Sequence, residues 1–193
     1  MDKIFQRTII LLFIGIGIFF ALGVNADTFG YDPEGTPESY TSGDNDELHG
    51  SLFTSPLDIE TAISITAYID DTGSSSYFKG IIVLHSSLEI IDNGITPHNV
   101  VGTGAARWAT TEPFGTPPSI SPSTGYVLSV IFGINLFKVY YDTGGTDQGH
   151  YDDSNSESSP TDPTDAVHED RLYSIYATYT PAAAARNRLM IIQ

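Results

Sequence analysis

The stretch that most constrains this chain is residues 125–142, GYVLSVIFGINLFKVYYD. Its first arm, residues 126–132, is apolar on both alternating faces. A strand of that kind has no wet side, so it belongs inside a sheet and under another layer. Gly133 and Asn135 carry turn chemistry because both tolerate positive φ, and residues 136–141 are rich in the β-branched and aromatic side chains that suit a pleated surface. The pattern predicts a buried hairpin that delivers an acidic, glycine-rich loop containing Asp142, Gly144, Gly145, Asp147, Gly149, Asp152 and Asp153.

The same period of two recurs along the chain. In residues 59–69, Ile59, Ile63, Ile65, Ala67 and Ile69 alternate with Glu60, Ser64, Thr66 and Tyr68, and Asp70 follows in phase, which predicts one face in a core and one in water. Residues 48–54, 77–85 and 171–180 are further strands, with Phe78, Ile82 and Leu84 on one face of the second and Tyr173, Ile175, Ala177 and Tyr179 on one face of the third. Residues 28–31 suit an edge strand. Residues 88–91 suit a brief extended piece closed by the turn dipeptide Asn93-Gly94. Residues 105–112 carry Trp108, the single tryptophan, and the prolines of residues 113–125 exclude a helix there. Residues 142–169 read as a long polar loop, of a length that is functional or disordered in a compact domain. No segment beyond the N-terminus holds a helical period over three turns. About eight short strands separated by turn signals point to an antiparallel all-β sandwich or barrel.

The N-terminus is set apart. Lys3 and Arg7 precede the apolar run of residues 8–22, and Val24-Asn25-Ala26 supplies small residues for cleavage. This is the pattern of a signal peptide over residues 1–26, the alternative being a retained anchor, for which the run is short. The expected β domain is then residues 27–181, followed by a tail of residues 182–193 that suits a helical turn, a strand or a short apolar terminus. A secreted or cell-surface location follows from the signal segment. The chain has no cysteine, so packing or a metal must hold it, and thiolate zinc sites and cysteine nucleophiles are excluded. A formal charge of −16 repels phosphate backbones and argues against nucleic acid as a partner.

The succession SLFTSP, ISITAYI, YFKGIIVL, GYVLSVIF, KVYYDTGGTDQGHYD and RLYSIYATYTP resembles a recurrent secreted β-sandwich module of archaeal and bacterial surface proteins. The resemblance spans about residues 28–181 and implies a jelly-roll-like topology, as in many carbohydrate-binding modules. It brings no catalytic residues with it.

Three chemistries are open to these residues. Asp142, Asp147, Asp152 and Asp153 are hard oxygen donors on a glycine-rich backbone, which suits calcium, although their spacing departs from a helix-loop-helix calcium loop; the alternative is a solvated turn. The histidines lack a zincin spacing, no Gly-x-Ser-x-Gly elbow is present, and the strands carry few acids for glycoside hydrolysis, so a hydrolase has the least support. Tyrosines are abundant. Tyr140, Tyr141, Tyr151 and Trp108 are the candidate ligand-binding residues, because such rings stack on sugars and anchor interfaces. The expected function is a non-catalytic extracellular module that binds carbohydrate or a surface protein. The alternative is a structural subunit of a surface layer or filament, self-associating through an edge such as residues 28–31 or 189–192.

Overall fold

The structure, a computed structural model, describes residues 26–35, 46–71, 76–101, 104–133 and 137–182. The proposed signal segment and the tail lie outside the described residues, apart from Ala26 and Ala182.

The described residues form fourteen strands and no helix. In chain order they are β1 (Asp27–Gly30), β2 (Leu48–Thr54), β3 (Ile59–Asp71), β4 (Ser76–Leu84), β5 (Glu89–Ile95), β6 (Asn99–Val101), β7 (Gly104–Thr110), β8 (Gly125–Phe132), β9 (Phe137–Val139), β10 (Tyr141–Thr143), β11 (Gly149–Asp152), β12 (Val167–Glu169), β13 (Arg171–Tyr173) and β14 (Ile175–Pro181). A five-stranded sheet runs β1-β14-β3-β7 with β9 also on β3, and a seven-stranded sheet runs β12-β11-β2-β8-β4-β5 with β6 also on β4. β10 and β13 make a separate pair. Every pairing is antiparallel.

The architecture is an antiparallel β-sandwich. Ile65, Ile69 and Ile175 of the smaller sheet share one buried cluster with Phe78, Ile82 and Leu128 of the larger. The sheets approach closely at Gly80, where a Cβ would come within 2.5 Å of the Ile65 side chain, so only glycine fits between them.

The expected hairpin at residues 125–142 does not form. β8 sits in the larger sheet between β2 and β4, whereas β9 pairs with β3 of the smaller sheet. The chain passes from the larger sheet at β8 to the smaller one at β9, and Phe132 and Phe137, on either side of that passage, stack with ring centroids 4.1 Å apart. The doubly apolar pattern of β8 has a different cause from hairpin formation: both faces are covered. Leu128 and Val130 face the sandwich interior, while Val127 and Ile131 join Leu48, Ile81 and Val83 in a second buried cluster on the outer side.

A polar strap, residues 153–166, is tied down on that outer side. Glu157 donates its N–H to Asp46 Oδ1 at 2.7 Å and sets its carboxylate 3.4 Å from Lys79 Nζ on β4. Asp162 Oδ1 accepts the Ile90 N–H of β5 at 2.7 Å. Asn155, inside the strap, binds the Thr161 N–H and C=O at 3.0 and 2.9 Å and closes it into a compact ring. The expected long loop of residues 142–169 is therefore β10, β11, the strap and β12.

Two smaller departures have local causes. In β3 the register slips between Ser64 and Ala62, so Ala62 enters the core and Ile63 is left half-buried; a bulge of one residue exchanges the faces beyond it. Asn93-Gly94 lies within β5, where Asn93 takes φ 60° at a register shift, and Leu88 (φ 58°) lies in the β4–β5 turn instead.

Candidate functional site

Because Ile65, Ala67 and Ile69 point inward, the alternate residues Thr66, Tyr68 and Asp70 of β3 point outward. The antiparallel register then sets Trp108 of β7 directly opposite Tyr68, and Tyr176 of β14 opposite Thr66. Tyr140 follows β9 and is anchored by its N–H to the Tyr68 carbonyl at 3.1 Å. Four rings result in one row on the outer face of the smaller sheet. Ring centroids are 5.0 Å apart for Tyr140–Tyr68, 5.2 Å for Tyr68–Trp108 and 5.3 Å for Trp108–Tyr176, with interplanar angles of 68°, 58° and 52°. Tyr68, Trp108 and Tyr176 are half-buried, and Tyr140 closes the row at 8% exposure. Mutual tilting at these angles is the favoured packing of aromatic quadrupoles, so each ring fixes its neighbour.

Polar groups border the row. The Tyr68 hydroxyl binds the Glu34 carboxylate, and burial, together with that negative charge, holds its pKa above the ordinary tyrosine value. Burial and the charge of Asp70 do the same to Tyr140. Asp70 Oδ2 lies 3.6 Å from Lys138 Nζ, while its Oδ1 is buried and has no hydrogen-bond partner. The Thr66 and Thr110 hydroxyls are 2.9 Å apart at the other side.

The candidates Tyr141 and Tyr151 lie elsewhere. Tyr140 and Tyr141 are consecutive, so they face opposite ways. Tyr141 is 9% exposed, packs edge-on to Tyr173 with centroids 5.4 Å apart, and carries the Arg171 guanidinium 4.5 Å from its ring centroid. Tyr151 stacks on His49 at 5.1 Å and donates to Glu47 Oε1 at 3.0 Å. These residues belong to a buried polar network. His49 Nε2 is 3.5 Å from Glu47 Oε2, its Nδ1 is 3.3 Å from the Tyr173 hydroxyl, and Arg171 pairs with Glu169 at 2.9 Å. Burial lowers the His49 pKa despite the opposing pull of the Glu47 carboxylate. The network ties β2, β11, β12 and β13 together. Ser51 beneath it serves backbone alone, accepting the Tyr173 N–H at 2.9 Å and donating to the Arg171 carbonyl at 3.3 Å.

The four aspartates are spread over different tasks. Asp142 accepts the Tyr31 hydroxyl at 2.6 Å. Asp147 takes φ 56° in a turn and donates its N–H to Asp170 Oδ1 at 3.1 Å. Asp152 is 3% exposed and accepts from the Ser154 N–H, the Ser154 hydroxyl and Asn155 Nδ2 at 2.9, 2.8 and 3.1 Å. Asp153 is exposed. Among the described residues, no three His, Cys, Asp or Glu side chains are grouped to hold a metal ion.

One further cluster escaped the sequence. His150 of β11 faces His168 of β12 across the ladder, with rings 4.5 Å apart, and His85 closes on its other side at 5.6 Å. His150 is 2% exposed and its buried Nε2 has no hydrogen-bond partner. Burial, and then the two neighbouring imidazoles, lower its pKa to about 4.

No family model matches the chain, and no curated protein is similar enough to count as a relative.

Proposed function

We propose that this chain is a non-catalytic, extracellular or cell-surface β-sandwich module that binds carbohydrate along the row Tyr140–Tyr68–Trp108–Tyr176. The observation that carries this reading is the row itself: three half-buried rings and the buried Tyr140, fixed by one another on the outer face of a sheet and bordered by carboxylates and hydroxyls. Rigid aromatic surface covers the apolar face of a sugar at low entropic cost, and the polar border supplies hydrogen bonds to its hydroxyls.

Trp108 is the residue to change first, and Tyr141 is not, because Tyr141 is part of the buried network. A glycan array followed by calorimetric titration of the hits tests the reading. Trp108→Ala is expected to weaken binding by about 2 kcal/mol, roughly thirtyfold, with an unchanged melting temperature. Absence of saturable binding to any glycan removes the proposal. A second reading, a self-associating structural subunit, draws on β1 and β7, the edges of the smaller sheet among the described residues. Regular polymers of the purified protein in negative stain favour it.

A further inference from the structure

We propose that the aromatic row selects glycans bearing free, protonated amino groups over neutral N-acetylated or acidic ones. This rests on the carbohydrate-binding reading above and specifies its ligand class.

The inference starts from Asp70. Its Oδ1 is buried at the Tyr140 end of the row with no hydrogen-bond donor, and its Oδ2 lies 3.6 Å from Lys138 Nζ. With Oδ1 enclosed by protein, Asp70 acts on a ligand at the row through its negative charge rather than through a hydrogen bond at that oxygen. Glu34 stands at the next ring, bound to the Tyr68 hydroxyl. Among the described residues, the carboxylates of Asp70 and Glu34 thus stand at the row against the ammonium of Lys138. Arg107, next to Trp108 in sequence, faces the other way along β7 and donates to the Ala105 carbonyl at 3.2 Å. The ring faces are themselves the negative ends of quadrupoles and attract ammonium groups. The chain as a whole carries a formal −16, which repels acidic glycans at a distance and draws in basic ones. Ring faces, border and overall field therefore favour the same ligand charge.

Trp108 is the only tryptophan, so its fluorescence reports binding at the row directly. The full chain is titrated with a glucosamine tetramer, its N-acetylated counterpart and a galacturonate oligomer, at a pH near 6 where the amines are protonated. At low ionic strength the amino tetramer is expected to bind about tenfold more tightly than the acetylated one, with the ratio falling as salt screens the charges. Asp70→Asn is expected to cut the ratio to about threefold; Glu34→Gln is expected to lower it as well and serves where Asp70→Asn does not fold. Equal affinity for the amino and acetylated ligands, with both lost in Trp108→Ala when binding is followed by calorimetry, overturns the charge selection and leaves the carbohydrate reading standing. No fluorescence change with any of the three, together with an empty glycan array, overturns both.

Discussion

Acidification tests the packing around His150. In the fold this imidazole is held near a pKa of about 4, against an ordinary value of 6.5, by burial and by the facing rings of His168 and His85. The unfolded chain therefore binds more protons than the folded one between those two values, and stability must fall as pH drops through that window. A displacement of that size corresponds to about 3 kcal/mol at full burial. Because the neighbouring His168 is exposed and lets solvent screen the site, roughly 2 kcal/mol is the better expectation. Between pH 7 and pH 5 about 1–1.5 kcal/mol should be lost from this ring, a drop in melting temperature of roughly 3–6 °C for a domain of this size. Acid also relieves the large negative charge of the chain, which acts in the opposite direction, so the measurement is a difference. Wild type and His150→Leu are melted across the pH range by circular dichroism, and the wild type is expected to lose more between pH 7 and pH 5 by that margin. Parallel curves for the two proteins would refute the burial argument, as would a His150 ring signal titrating near 6.5 by NMR.

Other perturbations address separate parts of the structure. Gly80→Ala drives a methyl into Ile65 across the sandwich and should destabilise by about 1–3 kcal/mol in urea melts; a neutral result would mean the sheets lie farther apart. Asp152→Ala removes the acceptor for Ser154 and Asn155 and should cost about 1–3 kcal/mol, with new protease cleavage between residues 153 and 166. The calcium proposal is tested by thermal shift. Asp142 and Asp152 already accept internal hydrogen bonds, so millimolar calcium is expected to leave the melting temperature unchanged, and a rise reversed by EDTA would restore a metal role for the acidic turn.

Strand location was legible because alternation needs only neighbouring residues. The inward set Tyr173, Ile175, Ala177 and Tyr179 follows from the period of two, and the bounds of β2 at Leu48–Thr54 from a short run stopped at Pro56. Strand partnership was not legible. The doubly apolar β8 and the turn residues after it suit a hairpin and a sheet crossing equally well, and the pairing of β9 with β3 distinguishes them. Strap, β11 and β12 are written in Asp, Ser, Asn and His, whose pairing depends on partners a hundred residues away, as with Glu157 on Asp46. Of the four candidate aromatic residues, Trp108 and Tyr140 lie in the row and Tyr141 and Tyr151 in the buried network. The two rings that complete the row, Tyr68 and Tyr176, sit at outward positions of strands the alternation had already phased. The missing signal was cross-strand register, which lines Tyr68 up with Trp108 and which a single strand does not encode.

The consecutive pair Tyr140 and Tyr141 shows how the fold separates recognition from stability. One residue of chain turns the first ring onto Tyr68 at the surface row and the second onto Tyr173 in the buried network. Trp108 packs against Tyr68 and Tyr176 and is not part of the buried cluster between the sheets, so removing it should spare the sandwich interior. The network joins strands from the larger sheet to the β10–β13 pair through the buried Glu47, His49 and Tyr173, so removing Tyr173 takes a partner from the buried His49 ring. Substitutions in the two clusters should therefore differ in kind: the row should change affinity at constant melting temperature, and the network should change melting temperature first. A Trp108→Ala protein that melts well below wild type would contradict this division, because it would mean the row holds the sheet together rather than offering a surface to a ligand.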